Sequence, residues 1–292
     1  MFSADWPLVV FTLLVQMAVG LVIVSELASL AGGAGAKHLL VHRDIASLVL
    51  GALGLLVSFA HLGSPMHSPY AILNLAHSWL SREILCTGLF LGCVFALTVA
   101  RRVPAFAALS GLLATLAGLM GVVTVFAMSK VYAIVTVPAW NSPATFLNFL
   151  GSALLLGTLA SGLLASFRWA GAGNAATSAS LARVTLVLLL FVALGLAAKF
   201  VEIPFSLIGG MAENARGVSA VSAVLADGIG LFVLRIVLLV AGSALFVYVA
   251  VLAMRSGMAM LPAIGACAFL LTLAGEVLGR AEFFRMHVLF GL

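Results

Sequence analysis

The chain has 292 residues, 64% of them hydrophobic and 8% charged, with a formal net charge of +5. Soluble domains average about 45–50% apolar and about 25% charged, so a soluble globular protein is excluded and an integral membrane protein is expected. The positive balance is explained by anchoring at the cytoplasmic face, and no nucleic-acid partner is implied.

Crossing ~30 Å of hydrocarbon takes about 20 apolar residues as a helix. Eight segments meet this requirement, at roughly 7–31, 44–62, 83–100, 105–128, 145–167, 182–203, 229–254 and 260–279. None alternates as the strands of a transmembrane barrel do. The expectation is an all-α integral membrane protein, one polytopic domain over 1–292.

The first helix is expected to stay in the chain. Residues 1–6 carry Asp5 and no Lys or Arg, and the apolar run exceeds the ~7–15 residues of a signal core. Glu26, near its far end, is read as reaching the headgroup region.

The second helix ends in "HLGSPMHSPY" (61–70), and the third opens with Arg82 and Glu83 in "SREIL". If the link between them folds back, His61 and Glu83 meet. A neutral imidazole accepts a hydrogen bond from a hydroxyl, and a carboxylate can take its proton. The plainer readings make His61 a helix-end cap, Ser81 the N-cap of the third helix and Glu83 a favourable first-turn acid.

After the fourth helix, "KVYAIVTVPAW" (130–140) holds Tyr132 and Trp140, read as headgroup-level anchors or as part of a site. Lys199 and Glu202, three apart before Pro204, read as an interfacial pair closing the sixth helix. Arg235 lies about 9 Å inside the seventh at 1.5 Å per residue and needs a polar partner. In the eighth, "GEVLGR" spaces Glu276 and Arg280 for an ion pair and Gly275 and Gly279 for a close neighbour. "LAGLMGVV" (116–123) and "LAGEVLGR" (273–280) echo one another at the fourth place of each half, as a duplicated four-helix unit would leave them.

Cys86, Cys93 and Cys267 stand alone, without a CxxC pair, and read as apolar filler. His38, His42, His67, His77 and His287 all fall outside helix interiors, so two facing axial ligands for haem are not expected. No metal site is expected in this chain.

Eight crossings put both termini on one face. The links on the opposite face hold Lys37, Arg43, Arg101, Arg102, Arg168, Arg183 and Arg255, seven basic residues against the six of the termini face, Arg82, Lys130, Lys199, Arg216, Arg280 and Arg285. By the Lys/Arg rule that face is cytoplasmic and the termini are periplasmic, in a bacterial inner membrane. The longer links lie on the termini face, where binding residues tend to sit. Polar residues gathered beneath one face suit an amphiphile such as a quinol.

"FAHLGSPMHS", "SREIL", "KVYAIVTVPAW", "LRIVLL" and "GEVLGR", in this order, resemble the membrane anchor subunit of dimethyl sulfoxide reductase, the DmsC family. The resemblance runs from "WPLVVFT" (6–12) to "GEVLGR". It implies eight helices, no haem or iron–sulfur cluster in this chain, and oxidation of menaquinol, an exchangeable substrate, in anaerobic respiration. It implies two partners, an iron–sulfur electron-transfer subunit and a molybdopterin catalytic subunit, with the anchor itself non-catalytic apart from its quinol site. The family's quinol-site histidine corresponds to His61 and its functional glutamate to Glu83. Arg82, Tyr132, Arg235, Glu276 and Arg280 are supporting candidates around that site. An acid that the family carries near its Arg-Val-Tyr segment is absent from "YAIVTVP", and Glu26 has no family counterpart. The rivals are a polysulfide-reductase-type anchor and a transporter of small anions using Arg235 and Arg280. The latter lacks the matched mid-helix Gly/Pro breaks that transporters favour.

Overall fold

The computed structural model describes residues 6–33, 36, 40–60, 74–171, 178–211, 219, 221–222, 229–256 and 261–287. Within them lie eight α-helices: α1 (Trp6–Gly32), α2 (Arg43–Phe59), α3 (Trp79–Ala100), α4 (Ser110–Tyr132), α5 (Pro143–Gly171), α6 (Ser178–Gly210), α7 (Ile229–Ser256) and α8 (Pro262–Arg285). A 3₁₀ turn, Pro104–Leu109, leads into α4. Seven stretches are long and apolar enough to cross a membrane. The helix outside that set, α2, has 17 residues, the lower end of what a span needs.

The helix count and order agree with the sequence reading, but several ends move. α3 opens at Trp79, four residues early, because Ser78 rather than Ser81 is its N-cap and accepts the Ser81 amide. Glu83 therefore sits past the first turn, inside the bundle. α6 continues through Pro204 to Gly210, since proline costs one backbone bond and the neighbouring turns hold. α8 runs to Arg285, which brings Glu282 onto the helix. α2 stops at Phe59, with Ala60 at its C-cap.

The central element is α1, which packs on α2, α4, α5, α6 and α8. Its closest approach is to α5. A Cβ added at Gly20 would strike the Ala153 carbonyl, and one at Gly157 would strike the Gly20 backbone. Without hydrophobic drive between helices in lipid, such backbone contact supplies the dispersion and packing energy that joins them. Two antiparallel pairs, α3–α4 and α7–α8, flank this centre.

Ringed round the core, Leu, Val and Phe side chains of α3, α4, α6 and α7 remain exposed, Phe95, Leu112, Leu190 and Val237 among them. In a soluble protein that would be an aggregating surface. Around a bundle of this length it is the lipid contact.

Candidate functional site

Among the described residues, the charged side chains held within the bundle fall into three groups. The largest is buried between α1, α5, α6, α7 and α8 towards the face where α1 begins. Lys199 Nζ donates to Asn148 Oδ1 at 2.6 Å, Ser152 Oγ at 2.7 Å and Glu276 Oε2 at 2.7 Å. An ammonium has three N–H donors, and all three are used. Ser152 Oγ also donates to Glu276 Oε2 at 2.6 Å. Arg280 Nη2 donates to Gln16 Oε1 at 2.7 Å and to Ser152 Oγ at 3.2 Å, and its guanidinium lies 3.8 Å from the Phe149 ring centre. One turn outward, Arg235 donates to Glu282 Oε2 at 3.0 Å and Glu202 Oε2 at 3.2 Å.

Three cations and three carboxylates thus neutralise one another with every member at most 4% exposed. An isolated charge this deep would be costly in hydrocarbon, and here the pairing offsets that cost. The pairing differs from the sequence reading in two respects. Lys199 and Glu202 are not partners at a helix end: they point to different neighbours, Glu276 and Arg235. Glu276 and Arg280 do not bond each other either, since each is drawn to a residue on another helix. Arg235 has the polar partners its depth demands. Both of its carboxylates being internal, it is not free for the anion that a transporter reading requires. Gly279 makes room for it, because a Cβ there would lie 2.6 Å from Arg235 Nε.

The "KVYAIVTVPAW" segment roofs this network. Tyr132 and Trp140 are buried, at 8% and 7% exposure, and are not headgroup anchors. Tyr132 meets Trp140, Phe149, Phe283 and Phe284 with ring centres 5.5–5.6 Å apart. Trp140 Nε1 donates to the Phe283 carbonyl at 2.7 Å, tying the link to the end of α8. Their side-chain chemistry was readable in the sequence, but not the neighbours that bury them.

The second group is Glu83, alone on α3. Its side chain is 3% exposed and its Oε1 has no hydrogen-bond partner among the described residues. Arg82, next in the chain, turns away: Nε donates to the Leu75 carbonyl at 2.8 Å and Nη2 to Ala76 at 2.7 Å, and the guanidinium covers Trp79 at 4.3 Å. Lys130 of α4 lies 5.6 Å from the same ring. Arg82 is therefore a brace for the α2–α3 link and does not pair with Glu83. His61 and His67 lie outside the described residues.

The third group is at the opposite face. Glu26 does not simply reach the headgroups. It accepts from Arg43 Nε at 3.0 Å and from Arg101, while Arg101 Nη1 donates to Asp44 Oδ1 at 2.6 Å. Burial works against the charge of Arg101, but Asp44 and Glu26 outweigh it and hold the group above the usual arginine value. The sequence hid this cluster, whose hydrogen-bonded pairs stand 17 to 75 positions apart. Among the described residues no three His, Cys, Asp or Glu side chains converge as metal ligands.

Known proteins resemble this chain, two of them along nearly its whole length. The profile of the family described as "DMSO reductase anchor subunit (DmsC)" matches residues 2–292. The Escherichia coli protein named "Anaerobic dimethyl sulfoxide reductase chain YnfH" is 30% identical over 294 residues, 99% of this chain and 96% of that one. A second anaerobic dimethyl sulfoxide reductase polypeptide of the same organism is 29% identical over 296 residues, again 99% of this chain and 96% of that one. A sulfite dehydrogenase subunit of Allochromatium vinosum is 34% identical over 143 residues, 45% of this chain and 43% of that one. No solved structure matches.

Proposed function

This chain belongs to the DMSO reductase anchor subunit family, and from that membership we propose that it oxidises menaquinol at the membrane face where α1 begins and α8 ends. It is a multi-pass membrane anchor subunit of a reductase complex. Its electrons pass to an iron–sulfur subunit and on to a molybdopterin catalytic subunit. By the Lys/Arg distribution, the quinol face is periplasmic and protons are released there.

The observation that carries the reading is Glu83. A carboxylate 3% exposed, with one oxygen unpartnered, is costly in a helix that faces lipid. Such a group is retained where a ligand uses it. Glu83 stands four residues, about 6 Å, past the start of α3, the helix that follows His61 in the chain.

Oxidation of a quinol to a quinone removes two electrons and two protons. His61 accepts a hydrogen bond from one hydroxyl, and the two protons leave through Glu83 or His61 as the two electrons pass to the iron–sulfur subunit. Arg82 braces the residues that lead into α3 through the Leu75 and Ala76 carbonyls. Tyr132, Arg235, Glu276 and Arg280 form the wall behind the site, the three charged groups each bonded to a residue of a neighbouring helix.

Titration of the purified complex with a fluorescent quinone-analogue inhibitor tests the assignment. Glu83→Gln should weaken binding about tenfold or more, since a hydrogen bond to a charged group contributes ~1.5–3 kcal/mol. Unchanged affinity would remove Glu83 from the site.

A further inference from the structure

On the face opposite the termini, α1 and α4 stand apart and leave a groove of about 930 Å³. The groove exists because α4 offers Gly111, Ala114 and Gly118 to it, positions with almost no side chain. A Cβ added at Gly111 or Gly118 would meet nothing within 4 Å. Leu27 and Leu30 form the α1 wall, and both are exposed. Along α4 the groove runs from Ser110 to Val122, about 18 Å at 1.5 Å per residue. One leaflet's half of a ~30 Å hydrocarbon core is about 15 Å, so the trough spans one leaflet from headgroup level to the midplane.

Its mouth is charged. Glu26, Arg43, Asp44, Arg101 and Arg102 all line it, three cations against two carboxylates. Glu26 and Asp44 grip Arg101 from two sides and fix its guanidinium. Arg102 is exposed, and its hydrogen bond among the described residues runs from Nη1 to the Thr98 carbonyl at 2.8 Å. A positive charge is thus left over at headgroup depth, above a trough of acyl-chain length.

We propose that this groove is a binding site for one anionic phospholipid, its phosphate at Arg102 and Arg101 and an acyl chain along Gly111–Ala114–Gly118. Basic pockets between transmembrane helices select such headgroups. The length argues for a lipid: a long prenyl tail would overrun a trough that ends at the midplane. The site is separate from the quinol face and does not depend on it.

The test reconstitutes the complex in nanodiscs of equal phosphatidylglycerol and phosphatidylcholine, extracts it in mild detergent and counts retained lipids per complex by mass spectrometry. Phosphatidylglycerol should be enriched over phosphatidylcholine. Arg102→Gln should lower its retention about fivefold, the factor equivalent to the ~1 kcal/mol one basic residue contributes near an anionic lipid. Gly118→Leu should lower it at least as far by filling the trough, with thermal unfolding unchanged because the added side chain meets open space. Equal retention by wild type and both variants would overturn the proposal. So would enrichment of neutral lipid, or of quinone in place of phospholipid.

Discussion

Replacing Lys199 by methionine keeps most of the side-chain volume and removes the only ion-pair partner of Glu276 at bonding distance among the described residues. Lys199 spends its three N–H groups on Asn148, Ser152 and Glu276 at 2.6–2.7 Å, with 5% and 2% of the two ionic side chains exposed. Breaking a buried pair by removing one partner costs about 3–5 kcal/mol, because the remaining charge is left uncompensated. Ser152 alone would stay on Glu276. Against a typical total stability of about 5–15 kcal/mol, Lys199→Met should lower the yield and the unfolding temperature of the complex severely. Lys199→Met combined with Glu276→Leu removes both charges, and replacing a buried pair by apolar groups is often near neutral. The double variant should therefore recover most of the loss, a coupling of at least ~2 kcal/mol in a double-mutant cycle. Thermal unfolding in nanodiscs reads this directly. A double variant no more stable than Lys199→Met alone would show that the network is not held by that pair, and the reasoning would fail.

Two further outcomes follow from the same geometry. Arg235→Gln strands two carboxylates, Glu202 and Glu282, and should reduce the assembled complex recovered from membranes by more than half; normal assembly would mean that neither pair forms. Gly157→Val places a branched side chain where the Gly20 backbone already lies and should abolish assembly, whereas Gly88→Val, with nothing within 4 Å, should assemble at wild-type levels in immunoblots of membranes.

Much of the fold was legible because length and hydropathy decide membrane helices almost alone. Element ends were less so. The sequence reading took Ser81 as the N-cap of α3, and only the fold shows Ser78 in that place, accepting from the Ser81 amide. Pairings were the least legible. Local spacing suggested Lys199 with Glu202 and Glu276 with Arg280, yet in a bundle each long side chain turns to a neighbouring helix. There, Asn148, Ser152 and Gln16 supply further partners, and these three carried no charge to draw attention. Glu26 was visible as an oddity, but its arginines come from α2 and the end of α3. Glu83 was visible as an acid near the start of an apolar segment, but there it read more plainly as a first-turn acid, and its place in a quinol site came from the family resemblance. Its companion His61 was read from chain order and the family resemblance, and lies outside the described residues.

The central claim, that this protein oxidises quinol through His61 and Glu83, is tested most directly by His61→Arg in the native complex. Guanidinium keeps polarity at that position but only donates hydrogen bonds, so the acceptor for the quinol hydroxyl is lost while the complex still assembles. Menaquinol-dependent turnover should fall about 10²–10⁴-fold, the range for loss of a positioned proton acceptor, and turnover with an artificial dye feeding electrons to the partner subunits should stay at the wild-type rate. Wild-type menaquinol turnover in His61→Arg would contradict the account.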